Sequence, residues 1–117
     1  MRKYEVHVVN NLPERSPSLF VHCASKDQEL INSTLSVHAD YNWHFTMKFG
    51  ATTIFFCRFW WGSKDKSFEV FNSKISYLCD WDGEIKDGIC AWSVQEDGFY
   101  FANQIQPRGL RKMYGWT

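Results

Sequence analysis

Hydrophobic and polar residues alternate along most of this chain, and the period is that of strands. Between 41 and 49, Tyr41, Trp43, Phe45, Met47 and Phe49 share one parity, while Asn42, His44, Thr46 and Lys48 take the other. That is the pattern of a strand with one buried and one wet face. Tyr4, Val6 and Val8 repeat it near the N-terminus, and Leu19, Val21 and Cys23 repeat it after Pro13 and Pro17 break the chain between them. The stretch TTIFFCRFWW, 52–61, is apolar on both parities: Phe55, Cys57, Phe59 and Trp61 against Ile54, Phe56, Arg58 and Trp60. It predicts a central strand covered on both faces. Beyond a polar connection at Gly62–Ser67 come Phe68, Val70 and Phe71, and finally ICAWSVQ and GFYFANQ flank Glu96, Asp97 and Gly98 as a hairpin.

About eight short strands with frequent turn signals and no long helical period predict an all-β fold, a β-sandwich of two mostly antiparallel sheets. Two segments have helical spacing: SKDQELINS at 25–33, and SKISYLCDW at 73–81, where Ile75, Leu78 and Cys79 follow Ser73 as a candidate cap. With no repeat or linker, 1–117 reads as a single domain, its core over about 4–103 and a C-terminal tail at 104–117. Trp43, Phe45, Phe55, Phe59 and Trp92 are expected between the sheets.

Composition narrows the partners. Thirteen basic and thirteen acidic residues cancel, which removes the electrostatic footprint of a nucleic-acid binder; the cluster Arg108, Arg111 and Lys112 reads as a solvated tail. No apolar run has the length of a membrane helix, and no signal peptide is visible. Four cysteines without a CxxC pair point away from zinc and redox motifs and toward two disulfides in a secreted protein whose leader is absent from this sequence. Four cysteines allow three connectivities. The favoured one joins Cys23 with Cys90, both in strand interiors, and Cys57 with Cys79, tying the aromatic strand to the segment before the last hairpin.

The search for chemistry assigns no catalytic residue, metal ligand or cofactor. His7, His22, His38 and His44 fall on different elements without ligand spacing, and His22 points to the opposite face from Cys23. There is no GxSxG. The carboxylate pairs Asp27 with Glu29, Asp80 with Asp82 and Glu96 with Asp97 read as solvated, and DWDGEIKD at 80–87 fails the EF-hand spacing. Asn32, Ser33 and Thr34 form an N-x-[ST] sequon, which makes Asn32 a candidate glycosylation site in a secreted chain.

Four stretches, taken in order, carry a resemblance. HCASKDQEL from His22, YNWHF from Tyr41, TTIFFC from Thr52 and CAWSVQEDGFYF from Cys90 are similar to the plant self-incompatibility proteins of the poppy-stigma type and their S-protein homologues. The likeness runs from about Val6 to Asn103. Ile31 and His38 stand where that family usually has glycine, so different turn geometry is expected there. The resemblance implies a small secreted β-sandwich acting as an extracellular signalling ligand for a membrane receptor, as in pollen–pistil self-incompatibility, with no catalytic residues. A monomer without membrane insertion is expected.

Recognition is expected in the loops. The richest is Asp80–Gly88, offering Asp80, Asp82, Glu84 and Asp87 with Lys86 around Trp81 as an aromatic anchor; Gly62–Ser67 is the second candidate. The alternative to a signalling ligand is a secreted carbohydrate-binding module in which Trp60 or Trp81 stacks on sugar rings. A hydrolase using loop carboxylates is the third.

Overall fold

The alternating runs become the strands of two sheets. The computed structural model describes residues 2–47, 52–79, 87–104 and 109–117. Within them, in chain order, lie β1 (Arg2–Asn10), β2 (Leu19–Ser25), β3 (Glu29–Leu35), β4 (Asp40–Met47), β5 (Phe55–Trp61), β6 (Lys64–Phe71), α1 (Ser73–Ser76), β7 (Gly88–Gln95), β8 (Gly98–Ala102) and β9 (Arg111–Tyr114). The first sheet has the order β4-β1-β7-β8-β9 and the second β3-β2-β5-β6. All neighbours are antiparallel except β1 and β7, which run parallel with Val6 beside Cys90 and Val8 beside Trp92. The fold is therefore the expected all-β two-sheet architecture with two disulfides.

Between the sheets, Val6, Val8, Val21, Phe59, Val70, Trp92, Val94 and Phe99 are fully buried. Aromatic rings carry much of this core: Phe68 packs within 5.0 Å, centroid to centroid, of Trp92, Phe99 and Tyr114. Phe55, Phe59 and Trp92 take their expected places. Trp43 and Phe45 have the expected parity but are half-buried, because β4 is the edge of its sheet.

β5 corrects the expectation of two buried faces. Phe55, Cys57, Phe59 and Trp61 are buried, while Ile54, Phe56 and Arg58 are exposed and Trp60 is half-buried. The reason is the two-layer architecture: no third layer among the described residues covers the outer side of the second sheet.

The helical spacing at 25–33 is also overturned. Ser25 and Gln28 close a turn, and Glu29–Leu35 form β3, with Ile31 opposite Cys23; pairing along β2 outweighs a weak local helical pattern. The second helical segment is present as the single turn α1, but its cap is Asn72 and not Ser73. The Asn72 Oδ1 accepts from the backbone N–H of Lys74 at 3.0 Å and of Ile75 at 2.8 Å.

The C-terminal segment is structured where it is described. β9 pairs with β8, so Arg111 and Lys112 belong to a sheet; Arg108 lies outside the described residues. Trp116 packs at 5.6 Å from Trp61 and 4.6 Å from Phe99, and its Nε1 donates to the Gln95 carbonyl at 2.9 Å. Thr117 then exchanges backbone hydrogen bonds with Asp65 on β6. The last residues thus pass from the edge of one sheet to the edge of the other.

Two glycines are required by these connections. Gly62 at φ +59° begins the two-residue turn between Trp61 and Lys64, a position that primed hairpin turns reserve for such backbone. That shortens the expected polar loop at 62–67, since Lys64 already belongs to β6. Gly98, at φ +153°, lies where a Cβ would come within 2.2 Å of the Tyr114 carbonyl, so glycine lets β9 close on β8.

All four cysteines are bridged, but the expected connectivity is corrected. Cys23 pairs with Cys57 and Cys79 with Cys90. Cys23 and Cys57 are directly opposite in the β2–β5 ladder, with Cα atoms 4.1 Å apart, so the bridge lies within one sheet. The other joins the segment after α1 to β7 and thereby links the end of the second sheet to the centre of the first.

Candidate functional site

The Cys79–Cys90 bridge closes a ring around the segment expected to carry recognition. Its ends are fixed: Cys79 and Cys90 are both buried, and the bridge spans 11 positions. Asp80, Trp81, Asp82, Glu84 and Lys86 lie outside the described residues. Asp87 is described and half-buried; with Lys3, Glu5, His44, Phe45 and Thr46 it lines an open depression of about 470 Å³. Of the six expected recognition residues, the structure places this one, at the foot of β7.

A second surface was concealed in the aromatic strand. On the outer face of the second sheet, Thr34, Phe20, Trp60 and Asp65 lie in one cross-strand row, and Asn32, His22, Arg58 and Ser67 in the next. Arg58 donates to Asp65 at 2.8 Å and stands over the Trp60 ring at 4.9 Å. Phe20 meets Trp60 edge-on at 5.3 Å, and His22 is held by Glu29 at 2.9 Å. Trp60 is thus already engaged by Arg58 and Phe20.

Below this face, a cleft of about 510 Å³ brings together two stretches far apart in sequence: Ser25, Lys26 and Asp27 from the β2–β3 turn, and Thr52 through Phe56 leading into β5. Both come from the stretches that carry the resemblance, so part of their shared order reflects one place in space.

On the outer face of the first sheet the chemistry is polar. His7 is buried, its Nδ1 at 2.9 Å from Asp40 Oδ2 and its Nε2 at 3.0 Å from Glu5 Oε1. With both ring nitrogens facing carboxylates, neither is left to activate a hydroxyl or thiol. At the β7–β8 hairpin, Tyr100 donates to Asp97 at 2.8 Å. That hydrogen bond holds the Asp97 carboxyl below its ordinary value, helped by nearby Lys112, and pushes the Tyr100 phenol up. Among the described residues, no group of three or more His, Cys, Asp or Glu side chains is placed to hold a metal ion, and no helix is long and apolar enough to cross a membrane.

Asn10 is a site the sequence did not signal. It is buried, donates through Nδ2 to the Leu35 carbonyl at 2.8 Å, and accepts from Leu12 N–H at 3.0 Å. This joins the end of β1 to the end of β3, across the two sheets. The tandem Asn10 and Asn11 before a proline-containing stretch reads only as a strand end.

The model of the plant self-incompatibility protein S1 family matches residues 5–116. The chain is 30% identical to S-protein homolog 5 of Arabidopsis thaliana over 83 residues, which cover 70% of the chain and 59% of that protein. It is 28% identical to S-protein homolog 2 of the same plant over 90 residues, 77% of the chain and 55% of that protein. With self-incompatibility protein S1 of Papaver rhoeas it shares 32% over 101 residues, 86% of the chain and 68% of that protein. The chain therefore spans little more than half the length of the first two relatives. No solved structure matches it significantly.

Proposed function

The chain belongs to the plant self-incompatibility protein S1 family, and from that premise we propose that it is a secreted ligand read by a cell-surface membrane receptor. Membership supports a signalling or recognition role, and the poppy relative carries self-incompatibility in its name. Pairing of all four cysteines suits an oxidising, extracellular environment. The reading assigns no catalytic residue and no cofactor, and it treats the ligand as a monomer.

The observation that carries it is the Cys79–Cys90 bridge. It closes a ring around Asp80, Trp81, Asp82, Glu84, Lys86 and Asp87, so part of the ordering entropy that a free loop loses on binding is removed in advance. Trp81 is the anchor in this proposal, and the acidic residues with Lys86 form its charged rim.

The experiment is capture of membrane proteins from pollen and from vegetative tissue on the oxidised chain, with a reduced and alkylated chain as control. Saturable capture of one membrane protein by the oxidised form alone is the expected result. Equal capture by both forms, or capture by neither, would overturn the proposal.

A further inference from the structure

The outer faces of the two sheets differ in kind. The first presents Glu5, Asn42, His44 and Thr46, whereas the second leaves Phe20, Ile54 and Phe56 between 37% and 40% exposed. Phe20 and Phe56 lie on this one face with the row of His22 and Arg58 between them, and exposed apolar side chains grouped on one face call for a cover. Beside it runs β3, the edge of the second sheet, and an edge strand needs protection from pairing with other chains. The sequon lies on that strand. Asn32 is directly opposite His22, and Thr34 directly opposite Phe20; both sequon residues are exposed.

We propose that Asn32 carries an N-linked oligosaccharide whose first sugars lie over the His22 and Phe20 rings, covering the apolar patch and closing the β3 edge. The proposal rests on the secretory reading above. In the transfer, Asn32 Nδ2 forms a bond to the anomeric carbon of an N-acetylglucosamine carried on a polyisoprenyl diphosphate. The carbon–oxygen bond to the diphosphate breaks, the amide gives up one proton, and the lipid diphosphate leaves.

Register makes the placement specific. Directly opposed side chains of an antiparallel pair have Cβ atoms about 5 Å apart, and diagonal neighbours remain within reach of long groups. A sugar attached to Asn32 therefore emerges beside His22 and diagonal to Phe20. The His22 ring is held in place by Glu29, and Phe20 by its edge contact with Trp60, so the two rings form a fixed floor. The apolar C–H face of a pyranose fits an aromatic face, whose π electrons make it the negative side of the ring. Asp87 shares its depression with Glu5 and His44 of the opposite sheet, so a glycan on this face leaves Asp87 uncovered.

The chain is produced behind a secretory leader in a eukaryotic host, alongside Asn32→Gln and Thr34→Ala variants. Because entry to the secretory route is imposed, absence of secretion in the native tissue counts against the ligand reading alone. A mass loss on peptide N-glycosidase treatment is expected for the parent chain and neither variant. In the glycosylated chain, nuclear Overhauser contacts are expected from the N-acetyl methyl group to the His22 and Phe20 rings. Binding of a hydrophobic dye should rise in Asn32→Gln and fall back when Phe56→Ser is added. An unmodified Asn32 in the secreted chain overturns the proposal; so does an attached glycan without ring contacts and without any change in dye binding.

Discussion

Trp92 Nε1 donates a hydrogen bond of 2.9 Å to the Val70 carbonyl, and the bond crosses from the first sheet to the second. Both residues are fully buried. β6 is an edge strand, so the indole pairs a carbonyl that its own sheet leaves over. Trp92→Phe keeps most of the apolar surface but strands that carbonyl, at an expected cost of about 1–3 kcal/mol. Trp92→Ala adds a cavity and should cost about 3–5 kcal/mol. Urea denaturation of both variants checks the order; a Trp92→Phe variant as stable as the parent would mean that the hydrogen bond contributes nothing.

The corrected disulfides make a quantitative contrast. The Cys23–Cys57 bridge spans 34 positions and the Cys79–Cys90 bridge 11, for which chain entropy gives about 4 and about 3 kcal/mol respectively. Paired alanine substitutions should destabilise in that order, measured by denaturant titration. In the proposed function the shorter bridge has the larger share, because its loss would also free the ends of the proposed recognition segment.

How far was this legible beforehand? The parity of β1, β2 and β4 followed from side-chain alternation, because each of these strands turns one mainly apolar face to the core. Partnership was not legible: alternation shows which way Cys23 and Cys57 point but not that register sets them opposite each other, so a bridge within one sheet was overlooked. The outer face of β5 was misread because Ile54, Phe56 and Trp60 are apolar without being core. β9 was missed because its cationic residues resemble a solvated tail when β8 is not in view. The proposed recognition segment rests on composition alone, and its closure by a bridge waited on the pairing.

His38 takes up backbone that favours glycine. It adopts φ +69° in the turn closed by Ala39 N–H donating to the Ser36 carbonyl at 3.0 Å, the place in a turn that favours glycine. A side chain in left-handed backbone costs about 1–2 kcal/mol, partly offset in glycine by its looser unfolded state. His38→Gly should therefore raise the thermal midpoint and His38→Val should lower it. A midpoint that falls in His38→Gly would show that the imidazole makes a contact outweighing the strain.

Asp97 and Tyr100 give the hairpin a pH window. The Asp97 carboxyl is depressed, chiefly by the hydrogen bond from Tyr100, so its contribution is present above the ordinary carboxylate value and is lost as pH falls through the folded one. Tyr100 is raised by the same bond, so its contribution is present below the ordinary phenol value and is lost as pH rises through the folded one. In Asp97→Asn the Tyr100 titration, followed by NMR, should move down toward that of a free tyrosine. An unmoved titration would assign the shift to something other than the pair.

The bridged segment allows recognition to be separated from folding. Asp80 and Asp82 lie just beyond Cys79, whose position is fixed by its bridge to Cys90 on β7, and in the proposed site they supply the acidic rim beside Trp81. Replacing both with asparagine preserves shape and removes two charges. Surface substitutions of this kind usually shift stability by less than about 0.5 kcal/mol, whereas charges at a rim set the association rate and its salt dependence. Asp80→Asn with Asp82→Asn should therefore slow capture of the receptor and flatten its dependence on ionic strength, while the denaturation midpoint stays in place. Trp81→Ala should instead speed dissociation, since an anchor acts after encounter. The competing location is the turn at Gly62 and Ser63 with the start of β6, where Asp65 is already committed to Arg58 and to Thr117. Unchanged binding in the 80 and 82 double variant, together with loss on substitution of Lys64 or Lys66, would move the site there, because the charge that steers the partner would then be basic and on β6.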